Sequence, residues 1–420
     1  MPASGIKTRI LIISDTHSRP LQNDYPHDPP RAFREPLPDA DVLIHCGDMT
    51  MTGSVPDYNA TLDVLRASSA PLKLVIAGNH DLSLEEKWMS NHREKDWRFV
   101  AMEEENDPLD KKASVSKAER QVRRDCKSVY QEARDFWTKE GGVARKEGVV
   151  FLDEGSHTFR LDNGALLRIY ASPYTPDFQD WGFAYPVKTH DSFNSHTHSF
   201  DKTTNICQNP IPSFSASSTE ESERNVDVVI THGPPYKQLD LTATGLNVGC
   251  PHLLHAISRA KPLIHCFGHI HEGYGARLVE WANNDSAKAS DSKNDTTSTT
   301  VDTYMTETWR TAITPSTHGD SKSSGAQVSF PPETDIARDR SVRLDLSSLT
   351  TVTTSSQPQS AAQALMDVDD EFVEETQDEA KAVELKRGRN TLFVNASIVD
   401  LGYKAVNAPF LIEAELQGAV

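Results

Sequence analysis

Seven side chains of metal-donor type follow short apolar runs in this sequence. Asp15 and His17 come just after "RILII" (9–13), and Asp48 after "VLIHCG" (42–47). Asn79, with His80 and Asp81 beside it, comes after "LKLVIAG" (72–78). His232 comes after "VDVVIT" (226–231), and His269 and His271 after "PLIHCFG" (262–268). A histidine at the end of a buried run is costly unless something holds its nitrogens. Asp, Asn and His together offer oxygen and nitrogen donors and no thiolate, a set that suits Mn, Fe or Zn. Seven donors exceed one metal's needs and match two cations that share a bridging carboxylate. Such a pair polarises phosphoryl oxygens and brings the pKa of water towards neutrality.

Each piece has a plainer reading. Asp-x-His alone is usually chance, and Gly47-Asp48 alone is an ordinary turn. "GNHD" (78–81) reads equally as a turn with Asn79 left-handed, and His232 as a core histidine with its bonds satisfied. Together they are far less easily accidental, since five run ends carry this one chemistry. "HTH" at His196–His198 serves as a control, with the spacing of His269 and His271 but no apolar run before it. It reads as loop decoration. His45 and His265 fall inside runs and read as packing groups or supports for the ligands.

The elements that must position these groups follow from the runs themselves. Stretches of four to six Val, Ile and Leu residues suit strands buried on both faces, as in α/β sheets. In such sheets ligands gather where the chain leaves the carboxyl ends of strands. "PFLIEAEL" (409–416) gives a closing strand, and "ARLVEW" (276–281) and "NTLFVNAS" (390–397) read as paired strands of one sheet.

Asp15-x-His17, Gly47-Asp48, Gly78-Asn79-His80-Asp81, His232 and Gly268-His269-x-His271 together resemble the calcineurin-like metallophosphoesterase signature, complete and in order. "YASPYTPDFQDWGFAYP" (170–186), "THGPP" (231–235), "FGHIHEGYG" (267–275) and "FVNAS" (393–397) resemble the metallophosphoesterase domain-containing subfamily, which is class III cyclic-nucleotide-phosphodiesterase-like. The resemblance implies a four-layer α-β-β-α sandwich of two mixed sheets, with a catalytic domain over 6–282 and 389–420. It implies one divalent metal on Asp15, His17, Asp48 and His271, and a second on Asp48, Asn79, His232 and His269. In it His80 faces the scissile phosphate, with Asp81 orienting it, and a metal-bridging hydroxide attacks phosphorus. Some subfamily members lack the first histidine of the Gly-His-x-His pair, but this chain keeps it as His269.

Substrate choice is less legible. Phosphoprotein phosphatases of the superfamily follow Gly-Asp with an arginine that clamps a phosphomonoester dianion. Here the sequence is "GDMTMTG" (47–53), without a cation. That favours a small phosphodiester such as a cyclic nucleotide. A phosphomonoesterase or protein phosphatase of the same fold, or a non-catalytic scaffold, are the alternatives. Trp181 lies in an aromatic, proline-rich stretch that reads equally as a base-binding wall or a structural loop. Tyr274, just after His271, is a candidate for substrate contact.

The chain of 420 residues carries a formal charge of −18, which argues against binding long nucleic acid. The most basic stretch, 110–127, reads as a solvated helix face or a lid. Five cysteines without CxxC spacing suit a reducing compartment, and no apolar run is long enough to span a membrane, so a cytoplasmic location is expected. Two segments fall outside the core pattern. Residues 187–225 read as a polar surface loop, and 283–388 as a low-complexity insertion too polar to order itself. The insertion's acidic patch (367–379) is a candidate site for a protein partner. The Asn395 sequon reads as incidental in its strand.

Overall fold

A computed structural model describes residues 5–22, 32–92, 127–185, 209–216, 225–281, 305–312, 342–343 and 385–419. The apolar runs are strands. β1 (Ile6–Ile13), β2 (Val42–His45), β3 (Leu72–Val75) and β4 (Val149–Phe151) pair in parallel in that order. The remaining strands are β5 (Gly155–Arg160), β6 (Leu166–Ser172), the short β7 (Thr175–Pro176) and β8 (Ala184–Tyr185), β9 (Val228–Thr231), β10 (Ile264–Phe267), β11 (Gly275–Trp281), β12 (Met305–Ala312), β13 (Val342–Arg343), β14 (Asn390–Asn395) and β15 (Phe410–Leu416).

They form two mixed sheets. The first has the order β13-β15-β1-β2-β3-β4, with the closing strand β15 antiparallel to β1. The second has the order β12-β11-β14-β10-β9-β6-β5. As the sequence predicts, β11 and β14 pair; the structure makes the pairing antiparallel, from Gly275 opposite Asn395 to Glu280 opposite Asn390.

Side chains alternate across a strand, and that alternation assigns the layers. Ile10, Ile12, Val42, Ile44 and Leu74 of the first sheet share one buried core with Ile169, Val228, Ile230, Ile264 and Val394 of the second. Leu11, Ile13, Leu43 and Val75 point the other way. They pack on Tyr58, Leu62 and Leu65 of the helix Val55–Arg66 and on Trp137. On the far side, Val229, Phe267 and Phe393 meet Leu253, Ala256 and Ile257 of the helix Pro251–Ala260. The order is therefore helices, sheet, sheet, helix. Both faces of the central strands are covered, which explains why they are continuously apolar.

The expectation for 283–388 fails at two places. Met305–Ala312 forms β12 on the edge of β11, and Val342–Arg343 forms β13 on β15. The segment "MTETWRTA" is rich in Thr and Trp, residues that favour strands, and the edge of β11 offers the backbone partners it needs. The acidic patch, the basic stretch 110–126 and His196–His198 lie outside the described residues. Of 187–225, the described part includes Ile211, buried against the second sheet.

Candidate metal centre

All seven predicted donors converge at the carboxyl ends of β1, β2, β3, β9 and β10. They form two clusters: Asp15, His17 and His271, and Asp48, His232 and His269. Asn79 joins the second, its Oδ1 lying 2.8 Å from His232 Nε2 and 2.7 Å from His269 Nδ1. Asp48 links the two clusters. Its Oδ1 is 3.3 Å from His232 Nε2, and its Oδ2 is 3.6 Å from His17 Nε2. On the other side, Asp15 Oδ1 is 3.4 Å from His271 Nε2.

The backbone is bent to bring this about. Asp15, His17, Asp48 and His269 all have left-handed φ, at 50°, 43°, 52° and 69°. Such angles cost of order 1–3 kcal/mol each in a residue that is not glycine, and they collect at functional sites. Two glycines allow the clusters to close. A Cβ on Gly78 would overlap the Asp48 carboxylate and backbone nitrogen, and one on Gly268 would overlap the carboxylate of Asp15.

Backbone carbonyls orient three of the imidazoles. Nδ1 of His17 bonds Thr50 O at 3.0 Å, that of His232 bonds Cys46 O at 3.0 Å, and that of His271 bonds Asp400 O at 3.2 Å. A carbonyl only accepts, so each Nδ1 donates, and each Nε2 is left as the atom that can bind a cation once it carries no proton. The donors present fit divalent cations. The buried His17 Nε2 has no hydrogen-bond partner, as an atom reserved for a metal would be.

Electrostatics support the same reading. Burial opposes ionisation of Asp15 and Asp48. Yet the neighbouring histidines, His271 first for Asp15 and His232 first for Asp48, hold both far below the usual carboxylate range. Burial lowers His232 too, but the charge and hydrogen bond of Asp48 overcome this and raise it to about 9. Burial dominates at His17 and His269, pushing them down to about 4 and about 3. Without cations, protons on His232 balance the carboxylates, so metal uptake must displace them.

His80 lies beside the ligands. Its backbone N–H donates to Asp48 Oδ1 at 2.8 Å, and its Nδ1 faces Met51 O at 3.0 Å. The ring stacks on Trp181 with centroids 3.9 Å apart. Both rings line a cleft of about 980 Å³ that also exposes Asp48, Asn79, His269 and His271.

Two expectations are corrected. Asp81 does not reach the His80 ring. Its buried carboxylate accepts from Met49 N (3.2 Å), Thr50 N (3.0 Å), Thr50 Oγ1 (2.7 Å) and Gly78 N (2.8 Å), tying the loops after β2 and β3 together. Burial, then the charge of Asp48, push it up to about 7 against those bonds. Tyr274 is a core residue rather than a substrate contact. It packs between the sheets and donates its hydroxyl to Ala408 O at 2.8 Å, because the short turn after His271 points its ring inward.

One residue of the cleft gives no signal in the sequence. Tyr403 lines it, with its ring 4.8 Å from His17, 5.6 Å from His271 and 6.1 Å from His80. It sits in a polar turn, 132 residues after His271 in the chain, without an apolar run before it.

The profile of the calcineurin-like phosphoesterase family matches residues 8–273, which include all seven donors. The chain belongs to that family. Human metallophosphoesterase domain-containing protein 1 is 30% identical over 272 residues, covering 64% of this chain and 62% of that one. A protein of Emericella nidulans described as probable rhamnogalacturonate lyase C is 28% identical over 275 residues, covering 65% of this chain and 18% of that one. The chain thus spans less than two thirds of either relative. A purple acid phosphatase from yellow lupin seeds aligns with a TM-score of 0.28 and 12% identity, over 68% of this chain and 41% of that one, a likeness too loose to build on. No helix among the described residues is long and apolar enough to cross a membrane.

Proposed function

We propose that this chain is a dinuclear metal-dependent phosphohydrolase that cleaves small phosphodiesters such as cyclic nucleotides. One observation carries the reading: two donor clusters joined at Asp48 share a cleft with His80. Asp15, His17, Asp48 and His271 would hold one divalent cation, and Asp48, Asn79, His232 and His269 the other. When bound, such a pair supplies Lewis acidity at a phosphoryl oxygen and lowers the pKa of water.

The chain's own residues do the rest. Met51 O fixes the His80 ring through Nδ1, which leaves Nε2 as the end that can hold a proton for the leaving oxygen. Trp181 keeps that ring against the cleft wall. The charge of the lining supports a diester. Among the described residues the cleft presents no Lys or Arg, while Asp177 and Glu272 stand on its rim. A monoester dianion would find no side-chain cation there, whereas a singly charged diester needs none.

The test is a side-by-side assay of Mn-loaded protein on a chromogenic phosphodiester, a chromogenic phosphomonoester, and 2′,3′- and 3′,5′-cyclic AMP. Turnover of one or more diesters above the monoester is expected. Preference for the monoester would overturn the diester assignment. No turnover on any would favour a scaffold that keeps the fold.

A further inference from the structure

The family match ends at residue 273, yet the first cluster is held from beyond it. After β14 the chain leaves the second sheet and joins the first. Ser14 N donates to Ala396 O at 2.9 Å, and Ile398 N donates to Ser14 O at 2.9 Å, so Ser397 lies in register beside Ser14. The Ser397 hydroxyl there stands 3.0 Å from Asp15 Oδ2 and 2.9 Å from Asn395 Oδ1. Both are acceptors, and the hydroxyl has one proton.

The Asn395 amide is fixed by donating from Nδ2 to Ile270 O (2.8 Å) and Leu239 O (3.2 Å). Its Oδ1 already accepts the Ser397 backbone N–H at 3.2 Å. The hydroxyl proton is then best spent on the carboxylate, the stronger acceptor. Ser397 is fully buried, so no water replaces it. Three residues on, Asp400 O accepts from His271 Nδ1. The Asp15 carboxylate also accepts the His269 backbone N–H, at 3.1 Å from each oxygen, but neither the Ser397 hydroxyl nor Asp400 O bonds to Asn79, His232 or the His269 ring.

We propose that Ser397 is a positioning residue for the first metal site, acting with the His269 N–H to hold Asp15 so that its other oxygen faces His271. The inference rests on the reading of Asp15 and His271 as ligands. Residues that support a metal's ligands typically contribute about 10–100-fold in affinity.

Co²⁺ titration of the full-length chain, freed of metal, followed by absorption and by calorimetry, tests it. The parent is expected to show two equivalents. Ser397→Ala should weaken one dissociation constant by about 10–100-fold and leave the other unchanged. In a His232→Ala background, where the first site remains, Ser397→Ala should weaken binding by the same factor. In a His271→Ala background it should change nothing.

Loss spread equally over both constants, or none, would overturn the proposal. A lowered metal-free melting temperature together with equal loss at both sites would mark Ser397 as merely structural. A parent chain that takes up fewer than two equivalents would instead overturn the dinuclear reading on which it rests.

Discussion

His80 is the residue on which the chemistry can be separated from the binding of metal. Its ring makes no contact with the ligand carboxylates; only its backbone N–H touches Asp48. His80→Ala is therefore expected to keep both metal equivalents, measured by elemental analysis. Its turnover on the preferred diester should fall by about 10²–10⁴, or ~3–5 kcal/mol of transition-state stabilisation. Activity at the parent level would remove His80 from the reaction. At this scale the sequence showed each candidate donor, because a donor one to four residues past a strand end is a local feature. It could not show that Asp81 faces Met49, Thr50 and Gly78 instead of the His80 ring. Side-chain direction in a turn is set by loops that come from elsewhere in the chain.

At the scale of elements, the hairpin of β11 and β14 decides what the long insertion can cost. Trp281 N donates to Arg389 O at 2.8 Å, so the two ends of the intervening chain already lie side by side. Loop-closure entropy grows only with the logarithm of length, and a short turn would close the same pair more cheaply. Replacing 283–384 by a short Gly-Ser turn should leave a folded chain that binds two metals. Its cost falls on the edge. Without β12, the backbone of β11 is bare, and a bare edge invites pairing with another copy. The shortened chain is expected to fold by circular dichroism and to self-associate with concentration in sedimentation. A monomer at every concentration would mean that β12 does not guard this edge. The pairing of β11 with β14 was readable in the strand-like segments "ARLVEW" and "NTLFVNAS". The recruitment of "MTETWRTA" was not, since its composition alone gives no core-facing pattern.

Two histidines outside the ligand set shape the stability of the whole molecule. His45 and His265 are fully buried, with Nε2 2.9 Å from Thr16 Oγ1 and Thr231 Oγ1 respectively. Burial, the largest influence on each, holds both at about 3. In the unfolded chain each would titrate near 6.5. Above about pH 6.5 both states are neutral and neither residue costs anything. Below it the unfolded chain takes up protons that the fold refuses, so each lowers stability by up to ~1.4 kcal/mol per pH unit until about pH 3. Urea unfolding of metal-saturated protein at pH 7.5 and 5.5 should show this, with these two residues making the acid sample less stable by about 3 kcal/mol. Asp81, raised to about 7, shifts stability the other way over this range, so the difference is read against a His45→Asn, His265→Asn variant. The same pH dependence in parent and variant would mean that the rings carry charge in the fold.

By itself the sequence determined the class of fold, the seven donors and the strands that carry them. Buried strands impose apolar runs, and a polar donor at the end of such a run stands out without knowledge of any partner. Only the tertiary structure decided which donors lie within reach of one another, that Tyr274 turns into the core, and that Ser397 and Tyr403 stand beside the cluster of Asp15, His17 and His271. Those facts depend on contacts between residues more than a hundred positions apart. The sheets bring such residues together by pairing backbones, and backbone pairing leaves little trace in the identity of the side chains that meet.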